Sequence, residues 1–381
     1  MFKGCIEIRT VPERIPGWRL SRQYLLPRAC LDFGAVVSRL LGVQCQVMSA
    51  AELALLARTD GISKEHVRTA LWEKRTLVKT WAMRGTLYLL RADELPLFVA
   101  ARHAANHREP TKYFEYFGLN RSQADRFLDA VRHVLSDEPI TREALASAVA
   151  RHTQVRELES IIIGSRWGGP LKPSALRGDL CFGPNRGRNV TFVRPSAWLG
   201  RSVEQEPESA LREICRRYLS CFGPVAPKQF ARWWDISMQR ATTLFDSLSE
   251  ETKEVDIAGR RCVVLKRDLQ HILDSETEST VRLLPLFDAY TFNLVREHSL
   301  IPAEHLGRVF RAQGWISAVV LVNGCVMGTW EHTNTHTHTA IAVSMFQKPE
   351  SWIIDMLSVE AERLADFMGC RTSIRMEVLS C

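Results

Sequence analysis

The sequence predicts an α+β protein in which three tandem winged-helix modules precede a small C-terminal β-rich domain with a covering helix. Two observations lead to this prediction. An order of helices followed by a β-hairpin occurs three times between residues 31 and 265. After a polar linker at 274–280, the chain changes to short alternating strand segments, and an amphipathic helix follows at about 351–368.

The first winged helix, with the N-terminal segment, is predicted at residues 1–92. Its helices are expected at about 35–41, 50–58 and 63–73. Gly42 is expected to end the first helix, Ser49 and Glu52 to form a capping box, and Ser63 to be the N-cap of the third helix. The strands LVKTWAM and TLYLLR follow and are joined by a tight turn at Arg84-Gly85.

The second and third winged helices are predicted at residues 93–200 and 201–273. The helices of the second module are expected at about 93–106, 122–135, 141–152 and 172–178, and its hairpin at 180–193. The helices of the third module are expected near 207–220, 227–234 and 237–248, and its short hairpin, turned at Ala258-Gly259, at about 254–265.

The C-terminal β-rich domain is predicted at residues 281–381. Short strands are expected in LLPLFDAY, WISAVVLV and CVMGTW, with a hairpin turn at Asn323-Gly324. The alternating Thr and His residues that follow are expected to continue the strand to about Val343.

Composition and length indicate a globular protein of several domains. The chain has 381 residues, of which 46% are apolar and 24% are charged. No run approaches eighteen apolar residues, and the N-terminus lacks the apolar region of a signal peptide, so we expect a cytoplasmic location without a membrane. The ten cysteines include no C-x-x-C pair, which favours buried thiols over disulfides or a zinc knuckle.

The net charge of the chain is +7, and its basic residues are concentrated in two regions, 64–91 and 181–217. Because a surface that binds duplex DNA neutralises phosphates with Lys and Arg, these regions are the expected contact face, whereas the acid-rich segment 246–278 is expected to avoid DNA. The predicted DNA-binding residues are Lys64, Arg68, Arg75, Lys79, Arg84, Arg186 and Arg188.

Two glutamines interrupt an otherwise apolar connector, GVQCQV, at residues 42–47. In an extended segment, residues i and i+2 share a face, so Gln44 and Gln46 can point at one spot. Two amides can each donate and accept hydrogen bonds and could hold a water molecule. The alternative is that both side chains cap or solvate a turn between helices.

Several stretches together resemble the AlkZ-like family of DNA glycosylases. The Gln-Cys-Gln stretch, WAMRGT in the first hairpin, YLSCFGPVAPKQFARWW, LLPLFDAY and VMGTW occur in the family's order, from about Leu31 to Trp330. The resemblance implies a tandem winged-helix enzyme that excises alkylated purines from double-stranded DNA, in some members unhooks interstrand crosslinks, and needs no metal or organic cofactor. It also implies that Gln44 and Gln46 are catalytic. Cys45 at the middle position and Tyr88, where many relatives have His, depart from the family pattern.

Four residues are candidates for a further functional role. Asp288 in the FDAY stretch could orient a catalytic group, or it could be a turn or cap residue. His336 and His338 share a strand face in the predicted strand, a spacing that can bind zinc, but no third ligand is evident beyond His332, so no metal site is predicted. Arg84, at the hairpin tip, could hold a phosphate, or it could be merely solvated.

Two classes of function follow from these observations. The first is a monofunctional DNA glycosylase that acts on cationic alkylated purines such as N7-alkylguanine, as a monomer and without a cofactor. The second is a winged-helix DNA-binding protein without catalysis, such as a transcriptional regulator. Three modules in series can wrap one duplex, and the glutamine connector lies outside the usual recognition helix, so we favour the enzyme.

Overall fold

Helices and sheets are both extensive in the computed structural model, which describes residues 6–7, 14–105, 110–165, 168–200, 204–257, 259–276, 278–293, 300–335 and 337–379. The α+β class is therefore confirmed. The chain divides into two compact units, the first comprising Met1–Val67, Arg216–Phe230 and Phe245–Cys381 and the second comprising Arg68–Cys215 and Ala231–Leu244. The number of winged-helix modules and their boundaries remain predictions.

The first unit contains a five-stranded sheet and several small ones. Its helices are Ile15–Arg22, Phe33–Arg39, Met48–Leu56, Lys266–Asp274, Ala289–Asn293, Leu306–Val309 and Ser351–Met368. Its strands are Ile6–Glu7, Ala29–Cys30, Val43–Gln44, Thr59–Asp60, Thr252–Ile257, Arg260–Leu265, Val281–Leu284, Val319–Val322, Cys325–Asn334, His338–Met345 and Arg371–Val378. The last five form one sheet in sequence order, in which the final pair is parallel and the others are antiparallel.

The second unit packs helices against two hairpins. Its helices are Leu95–Ala105, Pro110–Glu115, Arg121–Val134, Arg142–Thr153, Glu157–Gly164, Lys172–Leu176 and Pro195–Leu199. Its strands are Leu77–Trp81 and Leu87–Arg91, which form the first hairpin, and Ile140–Thr141, Cys181–Arg186 and Asn189–Val193, of which the last two form the second hairpin. Four helices run across a boundary between the units in sequence, namely Lys64–Trp72, Pro207–Phe222, Pro227–Trp234 and Met238–Asp246.

Each unit has its own apolar core. In the first unit, one cluster includes Leu284, Tyr290 and Val319 of the C-terminal region. In the second unit, the first hairpin contributes Trp81, whose ring lies 4.7 Å from the ring of Phe182 in the second hairpin. Burial of each such apolar side chain contributes about 1.5–3 kcal/mol to the free energy of folding, and this contribution stabilises the two hairpins of the second unit.

Most of the predicted helices and strands are confirmed within a few residues, and the exceptions have local causes. The helix after the glutamine connector begins at Met48, with the extended Val47 as its N-cap, so the predicted capping box of Ser49 and Glu52 is wrong. The DAY residues of LLPLFDAY are not a strand, because the strand ends at Leu284 and Asp288 starts a short helix by accepting a hydrogen bond from the Tyr290 N–H. Ala258 of the predicted third turn lies outside the described residues.

Some elements were not predicted from the sequence at all. They include the helices Ile15–Arg22, Pro110–Glu115, Glu157–Gly164, Pro195–Leu199, Lys266–Asp274 and Leu306–Val309 and the strand Arg371–Val378. The five-stranded sheet and the helix Ser351–Met368 confirm the predicted β-rich C-terminal region and its covering helix. None of the eight described cysteines forms a disulfide bond.

Candidate functional site

The glutamine connector begins at a sharp turn that ends the helix Phe33–Arg39. The Leu41 N–H donates to the Ser38 carbonyl, and the Gly42 N–H donates to the Val37 carbonyl. Leu41 has φ 58° and Gly42 has φ 100°, so the turn needs two residues with positive φ. The helix ends near the predicted position, but its C-cap is Leu40 and the first left-handed residue is Leu41, so the predicted cap at Gly42 is wrong. The chain then enters the short strand Val43–Gln44.

Gln44 and Gln46 lie on the more open side of this connector. Val43 and Cys45 are buried, at 3% and 1% exposure, whereas the glutamines between and after them are half-buried. This alternation is what an extended segment gives, and it indicates that both amides face the same way. Within the described part of the chain, neither side-chain amide has a hydrogen-bonding partner. Both amides are therefore available to a bound molecule.

The helix Met48–Leu56 starts directly after the second glutamine. Its N-cap, Val47, provides no side-chain oxygen to the first turn, and the positive end of the helix dipole points toward the connector. This polarity favours partial negative charge, such as that of a polarised water oxygen, beside Gln46. The sequence motif did not reveal this feature because the helix start was predicted two residues too late.

Glu52 is a half-buried acid in the same helix. Burial raises the pKa of its carboxyl group, and the positive charge of Lys64 opposes this effect. Lys64, a predicted DNA-binding residue, is exposed, and its ammonium lies 5.7 Å from the ring centre of Phe367. Sequence reasoning assigned Glu52 only to the capping box, so its proximity to Lys64 was missed.

Asp288 is held in a fully buried ion pair. The two guanidinium NH₂ groups of Arg58 each lie 2.7 Å from one carboxylate oxygen of Asp288, and both side chains are 0% exposed. Arg58 also donates to the Ala54 carbonyl at the end of the helix Met48–Leu56. With both oxygens bound and no exposed surface, the carboxylate has no open face for substrate. The geometry favours the cap role of Asp288, and its predicted catalytic role has no support here.

Lys79 and Arg84 lie in the first hairpin. Lys79 is half-buried, with its ammonium 5.3 Å from the ring centre of Phe182. Arg84 is at the tip, where a short 3₁₀ turn, Met83–Gly85, joins the strands and where Arg84 itself has φ 57°. The predicted turn at Arg84-Gly85 is confirmed. Tyr88, opposite Thr80 in the hairpin, is buried.

The remaining predicted DNA-binding residues of the second unit differ in exposure and in the contacts that their guanidinium groups make within the protein. Arg68 forms an exposed ion pair with Glu73 at 2.8 Å. Arg75 stacks its guanidinium 3.6 Å from the ring centre of Trp198 and donates to that residue's carbonyl, so this group is partly committed within the protein. Arg186 and Arg188 are exposed on either side of Gly187 at the tip of the second hairpin.

Comparison with known proteins decides the identity of the fold and the family. The sequence model of the AlkZ-like DNA glycosylases matches residues 37–367. This chain belongs to that family. A relative from Streptomyces sahachiroi, an interstrand DNA cross-link repair glycosylase, is 32% identical over 358 residues, which cover 92% of this chain and 95% of the relative. The solved structure of the Streptomyces sahachiroi DNA glycosylase AlkZ superposes with a TM-score of 0.85 and 32% identity, covering 96% of this chain and 99% of that one.

The protein is therefore a DNA glycosylase of the AlkZ-like family, and the resemblance stated from the sequence is confirmed. The enzyme class predicted from the sequence, a DNA glycosylase, is confirmed together with the family. The alternative function, a DNA-binding regulator without catalysis, is not needed to explain the fold. Within the described residues, no helix is both long and apolar enough to span a bilayer.

The Thr/His stretch of this AlkZ-like glycosylase is a turn rather than a continuous strand. One strand ends at Asn334 and the next strand, antiparallel to it, begins at His338. The Thr335 hydroxyl and N–H both donate to the His338 carbonyl. His336 lies outside the described residues. His338 is within hydrogen-bonding distance of the Ser373 hydroxyl, at 2.8 Å. No group of three or more His, Cys, Asp or Glu side chains in the described part of the chain could hold a metal ion.

The burial of His332 can be tested by the pH dependence of folding stability. Burial lowers the pKa of its imidazole, and the charge of Lys64 lowers it further. The unfolded chain therefore takes up this proton first as the pH falls below about 6.5, and folded stability is lost in that range. In melting-temperature measurements from pH 8 to pH 5, His332→Asn should lose less stability on acidification than the wild type. Identical pH profiles for both proteins would contradict this assignment.

Proposed function

We propose that this glycosylase hydrolyses the N-glycosidic bond of purines that alkylation has made cationic, such as N7-alkylguanine, and that Gln44 and Gln46 are its catalytic residues. One observation carries the proposal. Two half-buried amides lie on one side of the connector beside a helix N-terminus, and neither has a partner in the described part of the chain. Such a pair can bind a water molecule without competition from the protein.

The chemistry of the substrate fits amide catalysts. A cationic base leaves as a neutral molecule, so the reaction needs little protonation of the leaving group and no strong general acid. The remaining task is to stabilise an oxocarbenium-like sugar and to hold a water molecule against its anomeric carbon. Amide oxygens can complement the positive charge on the sugar, and amide N–H groups can orient the water. An amide is a poor base, which restricts the enzyme to labile bonds.

Interstrand crosslinks are a second substrate that we propose for the same site. The Streptomyces sahachiroi relative is named as an interstrand DNA cross-link repair glycosylase and covers nearly the whole chain. A crosslink through two alkylated purines presents the same cationic leaving group on each strand, so hydrolysis at one purine releases that strand. No chemistry beyond that proposed for Gln44 and Gln46 is required.

The proposed partner is double-stranded DNA that carries such lesions, bound by three winged-helix modules at the boundaries given above, in the cytoplasm. Lys64 would contact phosphate, and Lys79 and Arg84, in the first hairpin, would contact the phosphates of one segment. The exposed tip of the second hairpin, with Arg186 and Arg188, would contact another. The tip is exposed on both sides of Gly187, as a phosphate contact requires.

Release of a free base tests the proposed substrate. Duplex DNA with a single 7-methylguanine, incubated with the purified protein, should accumulate abasic sites faster than the same DNA without protein. A duplex crosslinked through N7-alkylguanine should be resolved into one abasic strand and one strand that still carries the linker with the excised purine. Activity should survive a chelator. It should leave no covalent adduct on borohydride reduction, because the connector contains no lysine to form a Schiff base. Binding without base release would contradict the proposed substrate.

The DNA face predicts how affinity depends on salt. Changing Lys79 and Arg84 together to Ala should weaken binding to all duplex sequences and reduce the slope of log K against log salt by up to about two, since each phosphate contact contributes about 0.9. Equilibrium binding by fluorescence anisotropy at several salt concentrations gives this slope.

The matched control places a charge change in the third hairpin, 252–265, which belongs to the acid-rich segment 246–278. Glu254 pairs there with Arg261, and it is not one of the proposed DNA-binding residues. Glu254→Lys should leave both the affinity and the salt slope unchanged. An unchanged slope for the Lys79/Arg84 variant, or lost affinity for the Glu254 variant, would show that the DNA face is placed wrongly.

A further inference from the structure

The strand Arg371–Val378 is the outer edge of the five-stranded sheet. It has eight residues and pairs on one side with His338–Met345, in a parallel register that runs from His338 opposite Arg371 to Met345 opposite Val378. None of the described strands pairs with its other side. The strand contains no proline or glycine, the residues that commonly interrupt an open edge.

The backbone of this strand presents regular hydrogen-bonding groups to solvent. The Arg371 N–H donates to the Thr337 carbonyl and the Leu379 N–H donates to the Met345 carbonyl, so the odd-numbered residues face the sheet. Because the N–H and C=O groups of successive residues point to opposite sides of a strand, those of residues 372, 374, 376 and 378 point outward. An open row of this kind is a template for another strand.

The two faces of the edge strand have different chemistry. On one face, the Thr372 hydroxyl donates to the Ala361 carbonyl of the covering helix, so Ile374 and Val378 lie on that same face. These two side chains are 37% and 49% exposed, which is unusual for apolar residues beside a helix. On the opposite face, Glu377 accepts a hydrogen bond from Ser344, and Arg371 and Arg375 are exposed.

We propose that a second copy of this chain adds its own strand 371–378 to this edge in antiparallel orientation, with Ile374 opposite Ile374 of the second copy. The hydrogen-bonded pairs are then Ile374 with Ile374 and Thr372 with Met376, all of which are residues whose backbone groups point outward. Arg371 lies opposite Glu377 of the second copy, and the two-fold symmetry forms this ion pair twice. The strand is thus complementary to itself in charge, in apolar character and in backbone polarity.

Other registers are less complementary. If Arg375 were at the centre, two guanidinium groups would face each other, which is unfavourable for residues directly opposite. With Met376 at the centre, Arg375 would face Glu377, but fewer residues would join the ladder. The self-complementary charges also favour a second copy over a strand of unrelated sequence. We therefore infer a homodimer rather than the monomer expected from the sequence.

The dimer is expected to be weak. One strand of eight residues with its flanking side chains buries less than the roughly 1,200 Å² that is usual for a stable interface. Association should therefore appear only at micromolar or higher protein concentrations. The dimer joins two five-stranded sheets into one continuous sheet, and its formation does not depend on the proposed catalytic role of the glutamines.

Sedimentation velocity over a hundredfold range of concentration tests the proposal with the full chain. The wild type should shift from monomer to dimer. Arg371→Glu and Glu377→Arg each place two like-charged pairs in the interface, so each should weaken self-association by about tenfold or more. An equimolar mixture of these two variants should recover association, as should the double variant that carries both changes, because both restore opposite charges.

Arg375→Glu is the matched control. It changes the net charge of the chain as Arg371→Glu does, but in the proposed register it lies opposite Ser373, so association should change little. The proposal is overturned if the wild type stays monomeric at every concentration, which would leave the edge to a strand of another protein. It is also overturned if Arg375→Glu weakens the dimer while Arg371→Glu does not, or if the mixture of variants fails to associate.

Discussion

Replacing Asp288 with alanine is expected to lower the free energy of unfolding by about 3–5 kcal/mol, because the change leaves the Arg58 guanidinium charged and buried without its carboxylate. Both side chains are 0% exposed, and the pair makes two hydrogen bonds of 2.7 Å. The Tyr290 N–H would lose its acceptor as well. Urea denaturation followed by circular dichroism measures the loss.

The matched control removes both charges at once. In Arg58→Met/Asp288→Leu, no unpaired charge remains in the core, so most of the lost stability should return. We expect a residual loss of about 1 kcal/mol from the missing helix cap. If the single and double variants unfold at the same urea concentration, the charge of Arg58 is not the cause of the loss. If Asp288→Ala is as stable as the wild type, the buried pair contributes nothing.

Local features of this fold could be predicted from the sequence because they depend on neighbouring residues. The helical spacing of apolar residues identified the helices Arg121–Val134 and Arg142–Thr153, and the Arg84-Gly85 pair identified the first hairpin turn. The separation of two positions between Gln44 and Gln46 predicted a shared face, since an extended chain repeats every two residues. Burial of the intervening Cys45 agrees with this prediction.

Features that depend on residues far apart in the chain could not be predicted. Arg58 and Asp288 are 230 positions apart, and no periodicity in one sequence links them. The strand Arg371–Val378 was missed because its apolar residues alternate with charges, a pattern that is common in exposed segments as well as at sheet edges. The start of the helix was not predicted at Met48, because no side chain caps its first turn. Val47 ends the extended segment by its backbone geometry alone.

Gln44→Ala and Gln46→Ala are each expected to slow base excision by about 10²-fold or more, equivalent to about 2.7 kcal/mol of transition-state stabilisation for a positioned polar group. The reason is that each amide would fix the same water molecule against the anomeric carbon. If so, the double variant should lose less than the sum of the two single losses, because either change alone already frees the water. Melting temperature and DNA affinity should change little, since neither amide has a hydrogen-bonding partner in the described part of the chain.

The most direct measurement is single-turnover excision of 7-methylguanine at saturating protein, for the wild type, both single variants and the double variant, with duplex affinity determined in parallel. We predict that each single variant excises the base at least about a hundredfold more slowly than the wild type. The rate of the double variant should fall by less than the product of the two single reductions, and the affinity for duplex DNA should not change. Wild-type rates in folded single variants would contradict the account, and Gln44 and Gln46 would then be residues of a turn.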